Sequence, residues 1–225
     1  MSELPFEPYD FFGYIASGLV LVVLAQETLG FPKVFGAELK PFDIAVTVLA
    51  VYIAGQLVAG PSKFLFEDLL VHRVLGSPTK NLLSANPHRL RKLLFPGFYQ
   101  PLPAVIRTKI VAKLESMQLA NADAEDTFLT IRYAPEVLGS ERLISKIDAF
   151  RDMYGFNRNV SFSLLFAALC FAVAGHIKGS RLLVHFAIAA LVAGALLFYR
   201  YLKFFRQYSY ELFNSYAGMS DRSTS

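Results

Sequence analysis

Residues 160–199 read VSFSLLFAALCFAVAGHIKGSRLLVHFAIAALVAGALLFY, two apolar runs on either side of the short polar segment 178–181. Each run has about 18 residues, which as an α-helix would extend roughly 27 Å, close to the hydrocarbon thickness of a bilayer. Helices of soluble domains are seldom apolar on every face over such a length. The stretch therefore predicts two transmembrane helices that pack antiparallel across a tight turn.

Two further apolar runs, residues 11–29 and 42–60, have a similar length. The 225-residue chain is 54% hydrophobic and only 18% charged, with a mean hydropathy of +0.41. This composition excludes a disordered chain, and the single cysteine excludes a disulfide scaffold. We predict an all-α integral membrane four-helix bundle with a cytoplasmic helical insert between the second and third spans.

The predicted organisation has four parts. These are the first two transmembrane helices (1–60), the helical insert (61–159), the transmembrane hairpin (160–199), and an aromatic and basic cytoplasmic helix with a disordered end (200–225). The insert has no phosphate-binding loop, G-x-S-x-G sequence or kinase signature. We therefore predict no enzymatic activity and no cofactor.

Within the insert, the pattern from Pro61 to Leu75 predicts one helix, with a bend at Pro61, and residues 123–138 predict another. Residues 98–103 predict an exposed loop, because they are rich in aromatic residues and proline. Ser140 predicts the start of the last helix of the insert.

Lysine and arginine residues are unevenly distributed. Residues 61–159 hold fourteen and residues 200–225 hold four, whereas the connections 30–41 and 178–181 hold two each and residues 1–10 none. Because cationic residues collect on the cytoplasmic side, both termini are predicted to be cytoplasmic. The net charge of +4 is explained by this topology, and we predict no nucleic-acid partner.

Two short features carry a resemblance to other proteins. One combines residues 55–56 (GQ), 61–62 (PS) and 75–78 (LGSP), and the other is residues 154–159 (YGFNRN), which lead into a span. In these features the chain resembles predicted four-span bacterial inner-membrane proteins of unassigned function. The resemblance implies a bacterial inner-membrane location and no particular activity.

Four ionisable residues lie at the predicted non-cytoplasmic ends of the spans, namely Glu27, Asp43, His176 and His185. Carboxylates and imidazoles at one level could bind a divalent metal such as Zn²⁺, sense pH or form the mouth of a cation path. Independent hydration of each residue is the simpler alternative, because no ligand spacing such as H-x-x-x-H is present.

A basic candidate site lies at the predicted cytoplasmic membrane surface. Together with the basic segment 89–92, four cations could hold an anionic lipid headgroup. They are Arg158, Arg200, Lys203 and Arg206.

The second span and the helix after it carry few polar residues. Thr47 and Gln56 form a polar line that could serve a pore or helix packing. Glu67 lies four residues after Lys63, which predicts a local ion pair.

Small residues four apart allow helix backbones to approach closely in lipid. The candidate pairs are Gly13 and Ser17, Ala50 and Ala54, Ala168 and Ala172, and Ala190 and Gly194.

Our leading hypothesis is a non-enzymatic scaffold, sensor or complex subunit whose insert binds a protein partner. A homo-oligomeric channel and a lipid-handling protein are the alternatives.

Overall fold

The computed structural model describes residues 8–31, 40–84, 89–117 and 123–219. Every regular element in these ranges is helical, which confirms the predicted all-α class. A π-helical stretch, Lys63–Leu75, directly continues α2. The α-helices are α1 (Pro8–Leu29), α2 (Pro41–Ser62), α3 (Pro78–Ser84), α4 (Arg89–Leu94), α5 (Ala104–Ser116), α6 (Ala124–Arg132), α7 (Pro135–Leu138), α8 (Glu141–Lys178) and α9 (Arg181–Met219).

Four helices are long and apolar enough to cross a membrane, as predicted. They are α1, α2 with its continuation, α8 and α9. The tight turn between α8 and α9 depends on Gly179, whose φ of +60° is readily adopted only without a side chain. The Ser180 N–H then donates to the Gly175 carbonyl at 3.0 Å, which closes the end of α8.

The chain folds into two compact units. The span unit comprises Met1–Leu70 and Gly155–Tyr201, and the second unit comprises Val71–Tyr154 and Leu202–Ser225. Most of the predicted insert and most of the C-terminal tail thus belong to the same unit. The predicted disordered end after residue 219 lies outside the described residues.

Helices α1 and α2 pack through two glycines. A Cβ atom on Gly18 would lie under 3.0 Å from the Val51 carbonyl oxygen, and one on Gly55 equally close to that of Tyr14, a separation that Cβ atoms essentially never show. The backbones therefore approach as closely as glycine permits. Neither glycine belongs to the predicted small-residue pairs. Of those pairs, Gly194 packs tightly against Leu165.

The core of the second unit includes residues from the C-terminal end of α9. Leu212, Phe213 and Tyr216 are fully buried there and belong to one apolar cluster with Ile110 and Ile131. The aromatic tail is thus a core element of this unit.

The prediction of an exposed loop at residues 98–103 is wrong. Phe98, Tyr99 and Leu102 are buried, although the prolines prevent regular structure. The Tyr99 hydroxyl donates to the Leu75 carbonyl at 2.9 Å, and the Leu102 N–H donates to the Leu82 carbonyl at 3.0 Å. These hydrogen bonds satisfy polar groups that burial would otherwise leave unpaired.

Two other helix boundaries differ from the prediction. The helix predicted for residues 123–138 is interrupted at residues 133–134, because Pro135 cannot continue it and instead begins α7. The helix predicted to begin near Ser140 runs without interruption into the third candidate span as α8.

Tyr99→Phe is expected to lower the free energy of unfolding by about 1 kcal/mol, because the Leu75 carbonyl loses its shorter hydrogen bond and keeps only the 3.5 Å one from Asn81 Nδ2. Burial also raises the pKa of Tyr99 above its ordinary value of 10.0, an effect that Arg91 partly offsets. The neutral phenol is thus favoured in the folded state. The stabilisation of the fold by the neutral phenol is complete below about pH 10 and is lost as the pH rises through the raised pKa of Tyr99.

Thermal unfolding at neutral and alkaline pH tests this expectation. Tyr133→Phe is the matched control, since Tyr133 is exposed. Equal effects of the two substitutions would contradict the role given to Tyr99.

Candidate functional site

Polar side chains are concentrated inside the span unit, where the third candidate span begins. We call this set the polar belt. Its members are Asn157, Arg158, Asn159, Ser161 and Ser163 of α8, Ser62 of α2 and Glu67 of the π-helical stretch. The five other members are buried around the Glu67–Arg158 pair. Polar groups at such a position are costly and are therefore the first place to look for function.

An ion pair forms the centre of the polar belt. Arg158 Nη1 lies 2.5 Å from Glu67 Oε2, and both side chains are 13% exposed. Next to it, the Ser62 hydroxyl donates to Asn159 Oδ1 at 2.6 Å. The two contacts join residues more than ninety positions apart in the sequence. They fix the second candidate span and its continuation against α8.

The π-helical stretch positions Glu67. It begins just after Pro61, which has no N–H to donate to the preceding turn. The Lys63 N–H still approaches the carbonyls of Ala59 and Gly60, as at the end of an α-helix, and the π-helical stretch runs from there to Leu75. Such π-helical geometry is rare and is often found at functional sites.

Aromatic packing holds the same stretch in place. The Phe66 ring lies 5.6 Å from that of Phe162, 5.0 Å from that of Phe198 and 6.4 Å from that of Tyr201. Because Phe66 immediately precedes Glu67, this cluster restricts the movement of the carboxylate.

The polar belt also joins α8 to α9. The Ser161 hydroxyl donates to the Gly194 carbonyl at 2.8 Å, where the absence of a side chain lets the two helices approach. The Ser163 hydroxyl is buried and has no hydrogen-bond partner among the described residues.

The interactions of the polar belt hold the helices of the span unit in one arrangement. The carboxylate of Glu67 and the guanidinium of Arg158 neutralise each other. Arg158 Nε also donates to Asn159 Oδ1 at 3.3 Å, and the same oxygen accepts the Ser62 hydroxyl. A buried pair of this kind specifies one arrangement of its helices, because breaking it leaves an uncompensated charge.

The predicted metal set is only partly brought together. His176 and His185 line the same pocket, of about 420 Å³, with Ser180 and Arg181. Across the described residues, no group of three or more His, Cys, Asp or Glu side chains could hold a metal ion. Glu27 is half-buried on α1, and Asp43 accepts the Lys40 N–H at 3.3 Å at the start of α2.

The predicted lipid-headgroup set is also divided. Arg158 pairs with Glu67, which replaces the predicted local pairing of Glu67 with Lys63. Arg206 is half-buried and donates to the Gln100 carbonyl at 2.8 Å. Arg158 and Arg206 are therefore engaged by the protein itself. Arg200 and Lys203 are exposed.

The predicted polar line on α2 does not lie in the interior of the span unit. Gln56 is exposed and donates to the Tyr52 hydroxyl at 2.9 Å, whereas Thr47 is half-buried. A pore lined by these residues would therefore have to form between copies of the chain.

Sequence reasoning missed Glu67 and Asn159 as partners in the polar belt. The available signal is the run N-R-N-V-S-F-S at residues 157–163, which places polar residues at the start of an apolar span. Neither a family model, nor a curated protein, nor a solved structure matches this chain.

Proposed function

We propose that the protein is a non-enzymatic membrane scaffold or complex subunit whose second unit binds a protein partner. One observation carries the proposal. The second unit has a well-buried core of its own, yet α6 and α7 leave large apolar side chains exposed. We call these the α6–α7 face, which consists of Leu129, Tyr133 and Leu138.

The α6–α7 face has the composition of a protein-binding surface. Thr127 and Ile131 of α6 are buried, so Leu129 on the other side of the helix is left outside, four residues before Tyr133. Exposed tyrosine is common at the energetic centres of interfaces. Acidic residues at the start of α6, Glu125 and Asp126, favour a partner with an apolar centre and a basic rim.

A membrane location is supported by the outer surface of the span unit. Large apolar side chains on α2 are exposed at every turn, a surface that would cause aggregation in water and that lipid tails would solvate. They include Ile44, Val48, Leu49, Ile53 and Leu57. We propose the bacterial inner membrane, with both termini and the second unit on the cytoplasmic side, from the resemblance and the distribution of lysine and arginine.

Affinity purification of the full chain in mild detergent, followed by mass spectrometry, tests the proposal. A stoichiometric protein partner is expected, and the double substitution Leu129→Glu and Tyr133→Glu should weaken its binding at least tenfold, because both charges would be buried in the interface. Val105→Glu is the control, since Val105 is an exposed apolar residue of α5.

Retention of the partner by the double variant would contradict the α6–α7 face. A homo-oligomer that carries no other protein would overturn the scaffold proposal in favour of the channel alternative, for which the exposed Gln56 is the residue to examine.

A further inference from the structure

All six residues of helix α4, in the second unit, are exposed. Its sequence is RLRKLL, and none of its residues is buried. Leu90, Leu93 and Leu94 are all exposed, Leu93 to 77%. A helix of six residues is marginal on its own in water, so an unpartnered α4 would gain stability from a surface that covers its leucines.

The two faces of α4 differ in chemistry. At about 100° per residue, the three leucines fall within an arc of about 100°, and the cations occupy the remainder of the helix. Those cations are Arg89, Arg91 and Lys92, and the helix has no acidic residue. Leucines on one side and cations on the other are typical of helices that lie in the membrane interface.

We propose that α4 lies in the interface of the bilayer that the chain itself spans, with its leucines at the acyl boundary and its cations on anionic lipid headgroups. The charge of α4 favours binding to an anionic bilayer surface, because each cation near such a surface adds to binding. The covalent connection of α4 to the second candidate span favours the same bilayer as well. Only the 28 residues 61–88 separate α4 from the apolar run that ends at Gly60, so the bilayer is always present at high effective concentration.

The chain contains no tryptophan, so a single introduced indole reports on one position. The test uses the full-length Leu93→Trp variant in nanodiscs, with brominated acyl chains as a lipid quencher and acrylamide as an aqueous quencher. With phosphatidylglycerol present, the indole should be quenched by the brominated lipid and protected from acrylamide. In phosphatidylcholine alone, both effects should diminish.

Two further variants make the test specific. Val105→Trp, at a side chain that is 69% exposed, is the matched control and should remain accessible to acrylamide in both lipids. Replacing Arg89, Arg91 and Lys92 by glutamine in the Leu93→Trp protein should lower the ratio of interface-bound to free α4 on the order of 100-fold, roughly fivefold per cation. Leu90→Trp repeats the measurement on the same face.

The proposal is overturned if the Leu93→Trp and Leu90→Trp indoles are as accessible to acrylamide as that of Val105→Trp, or if their protection is independent of lipid charge. Protection that appears only when another protein is added would assign α4 to that protein and would likewise overturn the proposal. The main measurement uses purified protein without a partner. Its outcome therefore does not depend on whether the α6–α7 face binds a protein.

Discussion

Gly55→Ala is expected to destabilise the span unit by about 3 kcal/mol, the upper part of the range for overpacking. The added methyl group would collide with the Tyr14 carbonyl oxygen, which belongs to the backbone of α1 and cannot rotate away. Helices α1 and α2 would have to separate, and the close packing that stabilises helix pairs in lipid would be lost. Gly18→Ala should act in the same way through the Val51 carbonyl.

Thermal unfolding of the detergent-purified protein measures this effect. Gly155→Ala is the matched control, because Gly155 also lies within a helix but has no atom within 4 Å of the position of the added methyl group. That substitution should be neutral or slightly stabilising, since alanine favours the helix. Similar melting temperatures for all three variants would show that the glycine contact does not hold α1 against α2.

Glu67→Ala is expected to cost about 3–5 kcal/mol, because Arg158 would keep its charge in a largely buried position without a counter-ion. The cost comes mainly from the stranded charge and much less from the attraction that is lost. Replacing both residues, as in Glu67→Leu with Arg158→Met, should therefore restore most of the stability. Unfolding of Glu67→Leu, Arg158→Met, the double variant and the unsubstituted protein provides the complete cycle.

Lys113 and Glu136 provide a more exposed comparison, since their side chains are 19% and 47% exposed and their nitrogen and oxygen are 3.4 Å apart. Glu136→Ala should cost less than about 1 kcal/mol. If Glu67→Ala lowered the free energy of unfolding as little as Glu136→Ala, the ion pair would not hold the helices of the polar belt together. The same would follow if the double variant were no more stable than the single variants.

The sequence is sufficient to predict the four candidate spans, because a long apolar run needs no knowledge of its neighbours. It is not sufficient to predict what the spans touch. Local reasoning assigns Glu67 to Lys63, whereas its partner Arg158 lies 91 residues away. The Gly18–Gly55 approach likewise depends on the register of two helices, which the four-residue spacing of small residues does not determine.

In the second unit, too, local sequence patterns do not determine which residues are buried. Prolines and aromatic residues at 98–103 correctly predict irregular backbone, yet irregular backbone can be buried when its polar groups find partners. The Leu75 and Leu82 carbonyls provide those partners here, and no local pattern indicates them. Similarly, the aromatic residues of the tail are compatible with lipid or with protein, and only the fold decides between them.

The position of Leu212, Phe213 and Tyr216 in the second unit has a consequence for biosynthesis. A ribosome makes residues 71–154 before the apolar hairpin, and it makes residues 202–219, which complete the core, only after that hairpin. Until residues 202–219 are made, residues 71–154 expose apolar surface that these residues later cover. Nascent chains in such a state depend on chaperones and are susceptible to proteases. Completion of this core depends on the synthesis of residues 202–219, so a chain cut short after Tyr201 would retain its apolar helices and lack a finished core.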